Sequence, residues 1–357
     1  MRIGYVPYDP SLTQPADRRR FPFYAEQRDI DFELADPSRD YDVVVVTPRA
    51  DLGRWSGYRP GRAKLVFDIV DSYLAIPRTD FKAALRGPAK FATREARHPF
   101  FSYRRALESM LERADAVTCA TPEQALEIEP LCRNVHPILD FQSRLVRRVK
   151  DDYRAGSPFN LVWEGLGENA RWFGAIAAAL REVDRRRPLA LHLITAIEYR
   201  QLGQRFWRRR TARIAARHFH RVRLYQWSEE MVSVIATACD LAVIPLPLER
   251  PLERGKPESK LVSFWRMGMP TVTSSTPAYV RAMRGAGQDL HCDSEARWAE
   301  VLLRLIENPE ERERAAVAGR AFAEREYGDE RLLDAWDRVL DSLAAEQLVA
   351  PRRVSDL

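Results

Sequence analysis

Short apolar runs rich in β-branched residues alternate with stretches of helical spacing along almost the whole chain. In the first half the runs Met1–Pro7, Ile30–Leu34, Asp42–Thr47, Lys64–Ile69 and Ala116–Cys119 read as strands. Val43, Val44, Val45 and Val46 are apolar at every position, the pattern of a strand buried on both faces in a helix-covered parallel sheet. The connection from Asp80 to Ala114 reads as helical from about Pro99, with Leu107, Met110 and Leu111 on one face.

The second half repeats the alternation. Strands are expected at Phe159–Trp163, Leu189–Thr195, Val222–Tyr225, Leu241–Pro245 and Thr271–Ser274. Helices are expected at Arg171–Val183, Tyr199–His218, Glu229–Ala238, Ser259–Met267 and Ala278–Arg284, with a helical tract from Ser294 to about Glu346. Such βα alternation predicts an α/β protein of doubly wound parallel sheets, and its repetition predicts two such domains facing across a cleft. The polar, basic run that follows "NVHPILDFQ" and ends at Pro158 places the boundary near residue 150, giving domains 1–150 and 151–330. Residues 348–357 read as a flexible tail.

The length of 357 residues suits two domains and, with 45% hydrophobic and 30% charged residues, excludes a disulfide-stapled miniprotein and a disordered chain. Lys and Arg number 57 against 51 Asp and Glu, a balance of +6 that is too even for a dedicated nucleic-acid binder. Cys119, Cys132, Cys239 and Cys292 are widely spaced, without a Cys-x-x-Cys pair, and read as thiols in a reducing cytosol. No run approaches the ~20 apolar residues needed to span a bilayer. The expectation is a cytoplasmic protein whose membrane contact, if it has any, is peripheral.

The segment from Cys239 to Tyr279 carries the most chemistry. A buried strand ends at Pro245, a charged loop follows, and Gly255-Lys256-Pro257-Glu258-Ser259-Lys260 leads into an apolar helix. A helix N-terminus offers unpaired N–H groups and the positive dipole end, and Lys256 and Lys260 add charge, which makes a candidate diphosphate site. Gly268 suits a left-handed C-cap. The loop Ser274-Ser275-Thr276-Pro277 can bind phosphate or sugar oxygens through its hydroxyls, or cap the next helix.

The order and register of Asp240, Pro245, Ser259, Lys260, Leu261, Gly268 and Pro270 resemble the GT-B glycosyltransferases, most closely the retaining enzymes that use nucleotide-sugar donors (family 4, or group 1, type). The likeness covers about residues 157–345 and, by strand pattern alone, the first 150. It implies two Rossmann-like domains, an N-terminal acceptor domain and a C-terminal donor domain, with a helix at 331–347 crossing back to the first. It also implies transfer of a sugar from a nucleotide-diphosphate donor to a carbohydrate or lipid-linked acceptor, in bacterial surface polysaccharide or glycoconjugate synthesis. The nucleotide sugar is then a substrate, and no cofactor is expected. The chain departs from the family's E-x7-E glutamate pair: Ser263 stands where the glutamate that holds the donor ribose is usual, and Gly255 at the other glutamate position. Either the ribose is held differently, for example by Glu258 or by Ser263 through water, or the donor is unusual, or the activity has been lost. A non-catalytic GT-B homologue acting as a binding subunit and a nucleotide-sugar epimerase are the rival readings.

Other positions complete the expected site. Gly165 and Gly167 follow the first strand of the second domain and permit close backbone approach to a phosphate, or form a tight βα turn with Asn169 near the helix cap. Trp227 stands where an aromatic stacks on a nucleobase or packs on the sheet edge. Asp68 and Asp71, at the end of a strand, either act as bases on an acceptor hydroxyl or cap a helix or form a salt bridge. No Asp-x-Asp lies in a suitable loop, so transfer is expected to be metal-independent, with Lys, Arg and helix dipoles stabilising the leaving diphosphate. His98 and His136 read as surface or structural histidines. The run Arg205–Arg223 has eight arginines and no carboxylate, and Phe100, Phe101 and Tyr103 beside Arg104 and Arg105 form either a lip for lipid or acceptor or part of the core.

Overall fold

The structure, a computed structural model, describes residues 1–58, 63–76, 103–201, 207–217 and 219–349. The chain folds as two compact units: Met1–Phe141 together with the helix Asp329–Val349, and Gln142–Gly328. His98, Phe100 and Phe101 lie outside the described residues.

Unit 1 is built on a six-stranded sheet of β1 (Ile3–Val6), β2 (Phe32–Leu34), β3 (Val43–Val46), β4 (Lys64–Ile69), β5 (Ala116–Cys119) and β6 (Val135–Pro137), in the order β2-β1-β3-β4-β5-β6. All five pairings are parallel. The four valines of β3 are buried, as expected for a strand covered on both faces. The three-residue β6 was not visible as a hydrophobic run, because only Val135 in it is aliphatic.

Beneath the end of β4 lies a buried ionic group. Arg20 Nε meets both oxygens of Asp68 at 2.8 and 3.0 Å, and its Nη1 donates to Ile138 O at 2.7 Å and Asp140 Oδ1 at 3.2 Å. Thr118, opposite Asp68 in the β4–β5 register, donates to its Oδ1 at 2.7 Å. Both side chains of the Arg20–Asp68 pair are 0% exposed. Burial alone would lower the arginine pKa, but Asp68 and Asp140 together raise it, so the guanidinium stays charged.

The last helix completes this unit. Trp336 is fully buried, stacked on Tyr24 at 5.6 Å and edge-on to Phe21 at 5.8 Å. Asp337 accepts from Tyr24 Oη at 2.8 Å and pairs with Arg28 at 2.8 Å.

Unit 2 carries β7 (Phe159–Glu164), β8 (Leu189–Thr195), β9 (Glu198–Gln201), β10 (Trp207–Arg210), β11 (Val222–Gln226), β12 (Leu241–Ile244), β13 (Thr271–Ser274) and β14 (His291–Cys292). Its main sheet runs β11-β8-β7-β12-β13-β14, all parallel, and the order of winding reverses between β7 and β12. That reversal is the topological switch point, where the carboxyl ends of parallel strands leave room for a ligand.

Two expected helices change. Gly167–Ile176 is a 3-10 segment and the α-helix begins only at Ala177. In place of a helix over 199–218, β9 and β10 form an antiparallel hairpin followed by the short helix Thr211–Ala215. Glu198 and Arg210 face each other in its register and pair at 3.7 Å, a cross-strand attraction that the helical reading of the arginine run did not take into account.

The C-terminal tract divides into helices Glu295–Glu307, Pro309–Tyr327 and Asp329–Val349. Asn308 caps the second by accepting from Glu311 N, with Pro309 at its first position. None of the described helices is long and apolar enough to cross a membrane.

Arg20→Met leaves Asp68 an uncompensated buried charge and is expected to cost ~3–5 kcal/mol, read as a lowered urea midpoint, whereas Asp68→Leu leaves Asp140 as a counter-charge for Arg20 and should cost less. The double variant Arg20→Met/Asp68→Leu should lose less than the sum of the two. Simple additivity would show that the two side chains stabilise the unit independently.

Candidate functional site

β7 ends at Glu164, and the chain turns immediately at Gly165. From the other side of the switch point, the helix Ser259–Arg266 that follows β12 projects Lys260 toward this turn. Lys260 Nζ donates to Glu164 O at 2.7 Å, lies 3.6 Å from Glu164 Oε2 and sits 5.2 Å from the centroid of the Trp163 ring. The ammonium occupies the space a side chain at position 165 would need: a Cβ there would stand 2.5 Å from Nζ and 2.6 Å from the Trp163 ring. Glycine at 165 is therefore what lets the lysine reach the strand end.

The third arm comes from β11. Trp227 follows that strand, its backbone N–H is held by Thr195 O at 3.1 Å, and its Nε1 donates to Glu164 Oε1 at 2.9 Å. Glu164 thus collects an indole N–H on one carboxylate oxygen and faces an ammonium with the other. The side chains of Lys260 and Glu164 remain 32% and 23% exposed, so the group is open to solvent. A cation, backbone turns and a helix N-terminus at the switch point form an arrangement able to hold a phosphorylated ligand.

The chain matches no protein-family model and no curated protein. Among solved structures it is similar to sucrose-phosphate synthase from Thermosynechococcus elongatus at 14% identity and TM-score 0.61, over 86% of this chain and 74% of that one. It is similar to HepE of Anabaena, solved with UDP and glucose, at 12% identity and TM-score 0.61, over 96% of this chain and 99% of that one. The α,α-trehalose-phosphate synthase (UDP-forming) of Burkholderia vietnamiensis is similar at 12% identity and TM-score 0.56, over 86% and 74% of the two chains. The fold is GT-B.

Around that fold the remaining expected residues take definite places. The C-cap reads true: Gly268 has φ 69°, its N–H bonds Trp265 O and that of Met269 bonds Phe264 O, both at 2.9 Å. Asp240 accepts from Asn160 N at 2.7 Å, and burial raises its pKa; it fastens β12 to the start of β7. Thr276 caps its helix by accepting from Tyr279 N at 3.3 Å, and Ser275 Oγ bonds His291 Nδ1 at 2.9 Å. Asn169 N closes a turn on Leu166 O at 2.8 Å, Gly167 is buried, and Lys256 is half-buried in the loop before the helix.

Ser263 does not stand open at the vacant glutamate position. Its hydroxyl donates to Gln142 Oε1, and a further contact runs to Ser259 O at 2.8 Å. Glu258 is in the interior rather than presented to a ribose: its Oε1 takes Arg281 Nη2 at 2.8 Å and Tyr327 Oη at 2.6 Å, and the residue is fully buried. Burial raises its pKa against the lowering effect of Arg281 and Tyr327. Ser259 Oγ is buried with no hydrogen-bond partner among the described residues.

In unit 1, Asp68 belongs to the buried ionic group under β4 and is not offered to solvent. Asp71 lies in the turn beyond β4, half-buried, and its carbonyl takes Gln124 Nε2 at 3.1 Å. Arg104 is committed to the carbonyls of Leu74 and Ile76 at 2.6 and 2.8 Å, and Tyr103 Oη donates to Pro48 O at 3.2 Å, so these two belong to the packing of the unit. His136 bonds Asn134 at 2.8 Å and burial lowers its pKa. The four cysteines are free and buried, and the described residues contain no cluster of three or more His, Cys, Asp or Glu suited to a metal ion.

Glu164 was missed from sequence. Its signal was a single carboxylate ending an apolar strand directly before Gly165.

Two outcomes follow from this geometry. Gly165→Ala drives a methyl into Lys260 and Trp163 and is expected to cost ~1–3 kcal/mol in urea unfolding. Part of that loss should return in a Lys260→Ala background, where one obstacle is gone. Because Glu258 keeps its proton to higher pH when folded than when unfolded, its contribution is full below the unfolded carboxyl range and lost as pH rises through its folded pKa. A Tm–pH profile should therefore fall less steeply over that window in Glu258→Gln than in the parent chain.

Proposed function

We propose that this protein is a glycosyltransferase that takes a sugar from a nucleotide-diphosphate donor bound on unit 2. The observation that carries the reading is the meeting of Lys260 with the end of β7 across the switch point. An ammonium fixed beside a helix N-terminus can take up the charge that develops on the diphosphate as the glycosidic bond breaks. Lys256 adds charge in the preceding loop, Gly165 lets Lys260 reach the strand end, and Trp227 lies beside the group where a base can be received. The similar HepE structure holds UDP and glucose, which supports a nucleotide and a sugar as the ligand pair.

The acceptor, a carbohydrate or lipid-linked saccharide of surface polysaccharide or glycoconjugate assembly, belongs to unit 1. Asp71, beyond β4, is the carboxylate assigned to it there. Transfer proceeds without a metal ion, with the cationic groups of unit 2 acting on the diphosphate. The binding-subunit alternative has one observation in its favour: Ser263, at the position of the ribose-holding glutamate, is closed off by Gln142 and Ser259 O.

A thermal-shift panel of UDP, GDP and ADP, run with and without excess EDTA, tests the reading. A ligand present at ~100 times its Kd adds about 2.7 kcal/mol of stability, so one nucleotide should raise the Tm of the parent chain clearly and that of Lys260→Ala much less. Absence of any shift in the parent chain overturns the donor site, a shift abolished by EDTA overturns metal independence, and binding without released nucleoside diphosphate in the presence of donor sugars and acceptors supports the binding subunit.

A further inference from the structure

Glu164 is an odd neighbour for a group that is to receive an anion. It places a carboxylate against Lys260, at 3.6 Å, at the point where a diphosphate would approach. Its two oxygens are divided: Oε1 accepts the Trp227 indole N–H at 2.9 Å and Oε2 faces the ammonium. The lysine is held independently of that charge, because its Nζ also donates to the Glu164 backbone carbonyl at 2.7 Å and rests over the Trp163 ring. Loss of the carboxylate charge would therefore leave the ammonium in place.

We propose that Glu164 is the resident counter-ion of the donor site, a carboxylate that neutralises Lys260 until a diphosphate displaces it, and that it thereby sets a fixed penalty which only ligands strongly attracted to Lys260 overcome. This rests on the proposed donor site and adds to it a threshold for binding. A singly charged anion gains little by exchanging places with a carboxylate already seated, whereas a diphosphate brings more charge than the pair it breaks. The exchange is favoured by solvent access, since both side chains are partly exposed and a pair in high dielectric is weak. The tie to Trp227 gives Glu164 a second anchor, which keeps the carboxylate near the site after the lysine has turned to the ligand.

The test compares Glu164→Gln and Glu164→Ala with the parent chain by calorimetric titration of inorganic pyrophosphate, inorganic phosphate, and whichever of UDP, GDP and ADP the parent chain binds. Glutamine keeps an oxygen for Trp227 and removes the charge; alanine removes both, and protects the comparison if one variant folds poorly. The expected result is about two- to fivefold tighter binding of pyrophosphate and nucleoside diphosphate in both variants, the size of a removed charge contact at a partly exposed site. Because displacing the same carboxylate costs every ligand the same free energy, phosphate should gain by about the same factor as pyrophosphate, and a gain confined to one of them overturns the displaced counter-ion. Unchanged or weaker diphosphate binding in both variants, with the parent chain still binding, overturns the counter-ion and makes Glu164 a direct ligand or a bystander, while the donor site stands. Failure of the parent chain to bind any of these probes overturns the donor site, and the counter-ion with it.

Discussion

A missing side chain is the constraint on which the candidate site depends. Lys260 reaches the end of β7 only because position 165 has no Cβ, and the carbonyl it meets is available because the strand stops at Glu164. Parallel pairing of β7 with β12 brings the two ends together, and the reversal of winding between those strands leaves the space above them uncovered by a crossover helix. Local backbone freedom, strand pairing and topology thus converge on one ammonium.

The molecule uses charge in two physical regimes. The Arg20–Asp68 pair is sealed from water and shares its remaining capacity among Ile138 O, Asp140 and Thr118, so each partner has every reason to stay. The Lys260–Glu164 pair is longer and partly wetted, and it is tied to the Glu164 carbonyl and the Trp227 indole rather than sealed from water. A cation–carboxylate pair is thus fixed framework in one unit and, in the proposed donor site, a contact for a ligand to replace.

What could be read from sequence follows these regimes. β3, β4 and β8 were legible because strands covered on both faces are apolar at most positions, and the Gly268 cap because glycine is the residue type best suited to its positive φ. β6 and β14 are too short to leave a period. The arginine-rich hairpin was misread because its pairing depends on a partner strand several residues away rather than on local spacing. Lys260, Gly165 and Trp227 were found through motif and position. Glu164, which joins them, carries no motif, and Asp68 looked like a strand-end base because burial by Arg20 and Thr118 is a tertiary fact.

The first unit is discontinuous in the chain: its sheet is complete by β6, yet Trp336 and Asp337, which cover Phe21 and Tyr24, come after all of unit 2. During synthesis the two units therefore finish in the reverse of their order of appearance. The ribosome releases every residue of Gln142–Gly328 before the helix that seals the aromatic surface of unit 1 emerges, so the earlier-made unit spends that interval with apolar rings uncovered, and the interval lengthens with any pause in translating unit 2.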